Sequence, residues 1–496
     1  MIQGKNFISG EFIEAKGETF EKRNPASMDE LLGVFPQSEQ KDIERAVEAA
    51  GFAYPQWRAL SRIRRGEYID NLVQVLKREK EGLSTLLARE QGKGITEARA
   101  EVTEGIHMLQ YVFGASRMPF GDVVSSEIAE KDSFMRRKPK GVIGVITPWN
   151  FPFAIPLWLI GPSLLEGNTV VFKPSRETPC VAQKLMEAVQ EVGIPPGVIN
   201  MLHGSGEKVG MPIVRHPKVV VLLFTGSAEV GQQIRKVSAE LPDRMCACEM
   251  GGKNAIIVLD DADVELAVNA SVISAFKTSG QRCTAASRLI VHAGVIKEFQ
   301  KRFVETTKRM RIGDPLDPDN FTGPVINETQ MNKILQYNEL AKKEGVEVLL
   351  DGGRLKGPQY DKGYFLSPFV YRTKPNPKSV VLKEEVFGPH VAIIPVKDLE
   401  EAIAVHNDTD YGLVVSVITE DYRKAREIRE RCEYGLGYVN LPTIGAEVHL
   451  PFGGAKKSGT GLPSASTLID VVTQRTAWTV NHAREIKMAQ GMRVKL

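Results

Sequence analysis

Three short segments hold residue types suited to covalent catalysis: a cysteine, a carboxylate and an amide. Cys283 lies in SGQRCTAAS (279–287), Glu249 in EMGGKN and Asn150 in TPWNFP. A nucleophilic thiol needs a lowered pKa, donors for an oxyanion and, for turnover, a base that activates water. Asn150 carries an amide able to donate. Glu249 falls between apolar strands and two glycines, where burial raises a carboxyl towards the working range of a base. Free cysteine more often packs as a small hydrophobe. Residue type alone therefore leaves Cys283 open between packed thiol and nucleophile, and Glu249 open between base and strand-end carboxylate. Lys173, in NTVVFKPSRE, ends an apolar strand, the place where ligands bind in open α/β sheets. A surface lysine after a strand reads the same way.

These groups need elements to hold them. Helical periodicity runs across residues 41–118, and TPCVAQKLMEAVQEVG (178–193) reads as a helix closed by glycine. The runs 140–148, 168–175, 219–227 and 254–261 are short, apolar and rich in β-branched residues. Such strands alternating with helices predict parallel sheets covered on both faces. The alternation continues through SRLIVHA, a helix near 295–311, VEVLLDGG, VAIIPVKD, LEEAIAVHND and LVVSVITED, predicting a second α/β domain from about residue 250. HGSGEKVG (203–210) and FTGSAEVG (224–231) are glycine-rich turns after strands, but neither is the G-x-G-x-x-G fingerprint. Segments 127–139 and 472–480 alternate like strands without a crossover helix, so each predicts an exposed edge covered by a partner subunit.

At 496 residues the chain exceeds one core's reach, and two or more domains are expected. The 64 basic and 61 acidic residues nearly balance, which offers no footprint for nucleic acid or an anionic membrane. Five cysteines without C-x-x-C or zinc-site spacing predict a reducing compartment and no metal. The polar N-terminal stretch predicts no signal peptide and a cytoplasmic protein. Residues 141–165 lack charge, yet four prolines make a strand, turn and helix the expectation rather than a membrane span.

TPWNFP, GNTVVFKPS, FTGS, EMGGKN, SGQRC, EEVFGP and PFGGAKKSG, in this order along nearly the whole chain, resemble the aldehyde dehydrogenase superfamily. The resemblance implies an α/β fold of two parallel-sheet domains with a β oligomerisation arm. Residues 1–122 and 141–249 would bind NAD(P), 250–469 would be catalytic, and 123–140 with 470–496 would form the arm of a homo-oligomer, a dimer or dimer of dimers. It further implies that Cys283 attacks an aldehyde to give a thiohemiacetal, its oxyanion held by the Asn150 amide and the Cys283 backbone N–H. Glu249 would activate water against the resulting thioester. Ile146, Trp149, Lys173, Ser175, Gly226, Ser227, Glu385 and Phe387 match cofactor-contacting positions.

Departures from the family pattern add expectations. Arg176 stands where many NAD-preferring relatives carry glutamate, which predicts competence with NADP. Leu159 and Pro463 replace the lysine and glutamate of a proton relay. GQRCT, VFGASRM (112–118) and 442–454 are similar to the 2-oxoglutarate-semialdehyde and antiquitin-like branches. That likeness implies a semialdehyde of a small carboxylic acid, with Arg282 meeting a carboxylate, Glu447 an amino group, and Thr284 and Phe452 lining the site. Arg282 as a structural ion pair, plain aliphatic aldehydes as substrates, and a cofactor-independent cysteine esterase are the competing readings.

Overall fold

The computed structural model describes residues 1–14 and 17–489, with the side chains of 461–465 outside the description. Two seven-stranded sheets organise the chain. The first runs Met245–Glu249, Val219–Thr225, Val142–Ile146, Thr169–Lys173, Ile199–Met201, Asn6–Ile8 and Glu11–Ile13. Its first five strands are parallel, and the last two add antiparallel at the edge. Val142–Ile146 and Thr169–Lys173 are buried along their whole length, as continuous β-branched runs require when both faces are covered. The connection reverses direction between Val142–Ile146 and Val219–Thr225, which opens a crevice at their carboxyl ends.

The second sheet runs Glu347–Leu350, Phe369–Arg372, His390–Val396, Ala286–His292, Asn254–Val258, Val414–Ile418 and Leu436–Val439, all parallel except the first. At its carboxyl end Asp261 accepts from Thr419 Oγ1 at 2.8 Å, from the Asp421 N–H at 2.9 Å and from Lys424 Nζ at 3.2 Å. Gly251 and Cys283, which line the larger cavity of the site, just precede Asn254–Val258 and Ala286–His292, so the amino ends of this sheet face the site.

The helical stretch 41–118 resolves into Gln40–Ala59, Arg62–Arg78, Lys80–Gln91 and Ile95–Ala115. Helix Pro179–Val192 begins with proline and ends at Gly193 in the left-handed region, as its sequence predicts. The uncharged stretch forms a strand, a loop and helix Ala154–Leu165, and no described helix is long and apolar enough to cross a membrane.

One expectation needs correction. The strand-like segments 127–139 and 472–480 are not left for a partner to pair: Lys131–Pro139 and Thr473–Asn481 pair antiparallel over nine residues each, and Val123–Val124 adds on the other side. Sequence alone does not join segments 336 residues apart, as Arg137 Nη1 and Thr473 Oγ1 are at 3.1 Å. The resulting three-stranded sheet leaves Thr473–Asn481 as an open edge, with Trp478 and Val123 exposed. Residues 490–496, assigned above to the arm, lie outside the described residues.

Candidate active site

The crevice between Val142–Ile146 and Val219–Thr225 opens into a cavity of about 350 Å³. Ile146, Trp149, Asn150, Lys173, Ser175, Gly226, Ser227, Glu385 and Phe387 all line it, together with Phe224 and Met250. A second, narrower pocket of about 60 Å³ is lined by Glu104, Phe151, Ile155, Trp158, Arg282, Thr284 and Phe452. Cys283 and Thr225 line both, so the thiol sits where the two spaces meet. None of the other four cysteines lines either. That separates Cys283 from a merely packed thiol.

The larger cavity fits a dinucleotide. Ser227 caps the eleven-residue helix Ala228–Ser238, accepting from the Val230 N–H at 3.4 Å, so free backbone donors face the cleft as a phosphate site requires. Glu385 accepts from the Gly252 N–H at 2.9 Å, and a Cβ on Gly251 would overlap the Glu385 carboxylate. Only glycine at 251 leaves room for that carboxylate on the cavity wall. Trp149 and Phe387 stand edge to face, with centroids 5.4 Å apart. Phe387 holds a positive φ of 61°, and the loop is tied down by Gln330 Nε2 to the Phe387 carbonyl at 2.7 Å and Lys333 Nζ to the Glu385 carbonyl at 3.3 Å. Lys173 is buried and donates to the Gly204 carbonyl at 3.3 Å; burial, then Arg176, lowers it to about 8.

Cys283 does not show the lowered thiol pKa that a nucleophile needs. Burial pushes its thiol up, Glu249 and Glu385 add to this, and Arg282 with the Thr284 N–H opposes them. The free site holds a neutral thiol. Glu249 is 2% exposed, and burial lifts its carboxyl well above the usual range. Neither of its oxygens has a hydrogen-bond partner among the described residues. Leu159 is buried in helix Ala154–Leu165 and brings no charge to it; the Pro463 side chain lies outside the described residues. The turn before Cys283 is strained: Thr278 and Ser279 have φ of 54° and Gly280 of 70°, costing the two non-glycines about 1–2 kcal/mol each.

Two expected residues are displaced. Glu447 is exposed, lies within 3.2 Å of His449 Nε2 and is absent from the pocket wall, because its loop turns the side chain towards solvent. Arg176 is exposed and stacks on Phe20, 5.1 Å from the ring centroid, outside the cavity wall rather than on it. Arg282 does line the narrow pocket, but it is also an ion-pair member: Nη2 donates to Glu97 at 2.6 Å and Nε to Thr278 Oγ1 at 2.9 Å.

Helix Ile95–Ala115 contributes residues that sequence reasoning missed. Glu97 and Glu101 are buried and Glu104 lines the narrow pocket, and sequence analysis singles out none of the three. Burial, then Glu101, raises Glu104 to about 8, against Arg282 and Lys93. The available signal was their i, i+4, i+7 spacing beside the apolar stripe Ala98, Val102 and Leu109. Among the described residues no cluster of three or more His, Cys, Asp or Glu is placed to hold a metal.

A thiol, a carboxyl and an amide meeting between a dinucleotide-type cleft and a narrow pocket is the arrangement of a cysteine-dependent oxidoreductase. Residues 12–477 match the aldehyde dehydrogenase family. The alpha-ketoglutaric semialdehyde dehydrogenase of Bacillus subtilis (strain 168) is 38% identical over 454 residues, covering 91% of this chain and 93% of that one. The 2,5-dioxopentanoate dehydrogenase of Saccharolobus solfataricus is 35% identical over 454 residues, covering 91% and 94%. A betaine aldehyde dehydrogenase of Staphylococcus aureus, solved in complex with NAD+, superimposes with a TM-score of 0.93 at 30% identity, covering 99% and 97%. The chain belongs to the aldehyde dehydrogenase family. Its activity is the NAD(P)-dependent oxidation of an aldehyde.

Proposed function

We propose that the protein oxidises the semialdehyde of a small carboxylic acid to the dicarboxylate, with Cys283 as nucleophile. The observation that carries this is the position of Cys283 on the wall common to the cofactor-type cleft and a narrow pocket bearing Arg282. The relatives named for semialdehydes of 2-oxoglutarate support the substrate class. The pocket's small volume suits a straight, short chain, and Arg282 Nη1 has no protein partner among the described residues, which leaves a donor for a substrate carboxylate.

Lys173, Ser175, Ser227 and Glu385 would hold the cofactor, with Trp149 and Phe387 flanking its ring end. NAD(P) bound there supplies the hydride acceptor, and its cationic ring favours the thiolate. Cys283 Sγ then bonds to the carbonyl carbon, and the Asn150 amide and the Cys283 N–H stabilise the oxyanion. Oxidation leaves a thioester on Sγ. Glu249 takes a proton from water, which attacks the thioester carbon and expels the Cys283 thiolate as the acid leaves. Without a relay residue at Leu159, Glu249 releases its proton through the pocket itself.

Arg176, three residues after the strand-end lysine, supports use of NADP as well as NAD, since its guanidinium, once released from Phe20, is the group that would pair with a 2′-phosphate. Residues 1–122 and 141–249 form the cofactor domain, 250–469 the catalytic domain, and 123–140 with 470–496 the arm of a cytoplasmic dimer or dimer of dimers. The open edge of Thr473–Asn481 and the exposed Trp478 support that assembly.

The test is initial rates with NAD and NADP on 2-oxoglutarate semialdehyde, aminoadipate semialdehyde, succinate semialdehyde and hexanal. Selectivity for the acidic aldehydes that Arg282→Ala abolishes is the expected result. A preference for hexanal overturns the carboxylate anchor, and no reduction of either cofactor with any of the four overturns the proposed substrate class.

A further inference from the structure

The nucleophile and the oxyanion donor come from loops far apart in sequence, and one helix face touches both. Glu97 and Glu101 stand one turn apart on helix Ile95–Ala115, so they share a face with a rise of about 6 Å between them. Glu97 accepts from the Thr278 N–H at 3.1 Å, from Thr278 Oγ1 at 2.7 Å and from Arg282 Nη2 at 2.6 Å. It thereby grips both ends of the left-handed turn that presents Cys283. Glu101 Oε1 accepts from the Phe153 and Ala154 N–H groups at 2.9 and 3.2 Å. These are orphan donors at the start of helix Ala154–Leu165, whose own N-cap, Phe153, has no side chain to satisfy them. The other oxygen of Glu101 pairs with the buried Lys93 ammonium at 2.5 Å, and Lys93 Nζ donates to the Asn150 carbonyl at 2.6 Å. Phe151 joins the two halves: Lys93 Nζ lies 4.0 Å and the Arg282 guanidinium carbon 4.9 Å from its ring centroid.

We propose that Glu97 and Glu101 are positioning residues that set Cys283 and Asn150 against each other from one helix face. Neither carboxylate lines the cofactor cleft or the narrow pocket, so both act through the backbone they hold. A buried pair kept only for stability would gain little over an apolar one. Here the bonds run to the carbonyl of the oxyanion donor Asn150 itself and to the amides of Phe153 and Ala154 just after it. The inference rests on the roles proposed for Cys283 and Asn150, and its test needs no aldehyde.

The full-length protein is assayed for hydrolysis of p-nitrophenyl acetate and for alkylation of Cys283 by iodoacetamide across about pH 6 to 9, with cofactor binding followed by fluorescence. Lys93→Met/Glu101→Leu replaces the buried pair with apolar groups. It should leave alkylation within about twofold and cofactor affinity unchanged while lowering kcat for the ester by about tenfold or more, a fraction of the ~100-fold or greater loss seen when an oxyanion donor is removed outright. Glu97→Gln should shift the midpoint and rate of alkylation. Should the double variant not bind cofactor, Glu101→Gln, which keeps the Oε1 acceptor and removes the negative charge that pairs with Lys93, gives the same reading. Alkylation and kcat moving together in both variants, or staying unchanged in both, overturns the proposal. A wild-type protein that oxidises no aldehyde counts against the proposed function alone, since both readouts here are taken without one.

Discussion

At neutral pH the free protein keeps a proton on Cys283, because burial and the Glu249 and Glu385 carboxyls outweigh Arg282. Glu249 itself is raised by burial, so its base form grows as pH climbs past the ordinary carboxylate range. Thioester hydrolysis should therefore rise with pH. Glu249→Gln should flatten that limb, slow turnover by about a hundredfold or more, and leave a nicotinamide absorbance burst near one equivalent. A steady rate without a burst would show that Glu249 serves an earlier step. Glu104 gives a stability signature. With its native value raised to about 8 from 4.5, the folded state holds a proton that the unfolded chain has lost, so its contribution is complete below about pH 4.5 and drains away up to about pH 8. Glu104→Gln should therefore gain Tm over wild type as pH rises through that window, measured by calorimetry. At this scale the motif residues were legible from their types and neighbours. The partner of Arg282 was not, since Glu97 lies 185 residues away.

Elements decide how these groups are aimed. The strands that end at Ile146, Lys173 and Thr225 could be read from uninterrupted apolar runs, and with them the place of the cleft. The left-handed turn at Thr278 and Ser279 could not, because neither residue favours that conformation and tertiary bonds impose it: the Ser279 N–H to Thr322 Oγ1 at 2.8 Å and Ser279 Oγ to the Gly323 carbonyl at 2.7 Å. Gly280 completes the turn at a φ of 70°, and a Cβ there would overlap the Gly388 carbonyl. Gly280→Ala should thus cost about 1–3 kcal/mol, seen as a lower Tm, and should blunt iodoacetamide labelling of Cys283. Gly251→Ala, which drives a methyl into the Glu385 carboxylate, should raise KM for the cofactor while leaving alkylation intact. Equal effects on both readouts would mean that the strand end, and not the carboxylate, had moved.

On the scale of the molecule, two sheets meet with opposite ends towards the site: carboxyl ends from the first, amino ends from the second. That asymmetry frees the glycine-flanked turns of one sheet for a dinucleotide and leaves the loop before Ala286–His292 to carry the thiol. Alternating helices and strands announced both sheets, whereas the pairing of Lys131–Pro139 with Thr473–Asn481 rests on long-range register that periodicity does not encode. Trp478 lies against Phe134 with its ring near parallel at 6.5 Å, and it is half exposed on the open edge. Trp478→Glu should shift the protein towards monomer in light scattering at micromolar concentration, with Tm falling in parallel. An unchanged mass would remove the arm from the interface.

The same pairing puts assembly on a clock. Lys131–Pro139 leaves the ribosome long before Thr473–Asn481 exists, and at ordinary rates of synthesis the wait is roughly 20–70 s. Through that interval the nascent chain carries a long strand with only Val123–Val124 beside it. A chain cut short anywhere before its last segment never completes this sheet, so if the proposed arm joins subunits, only finished polypeptides can take part.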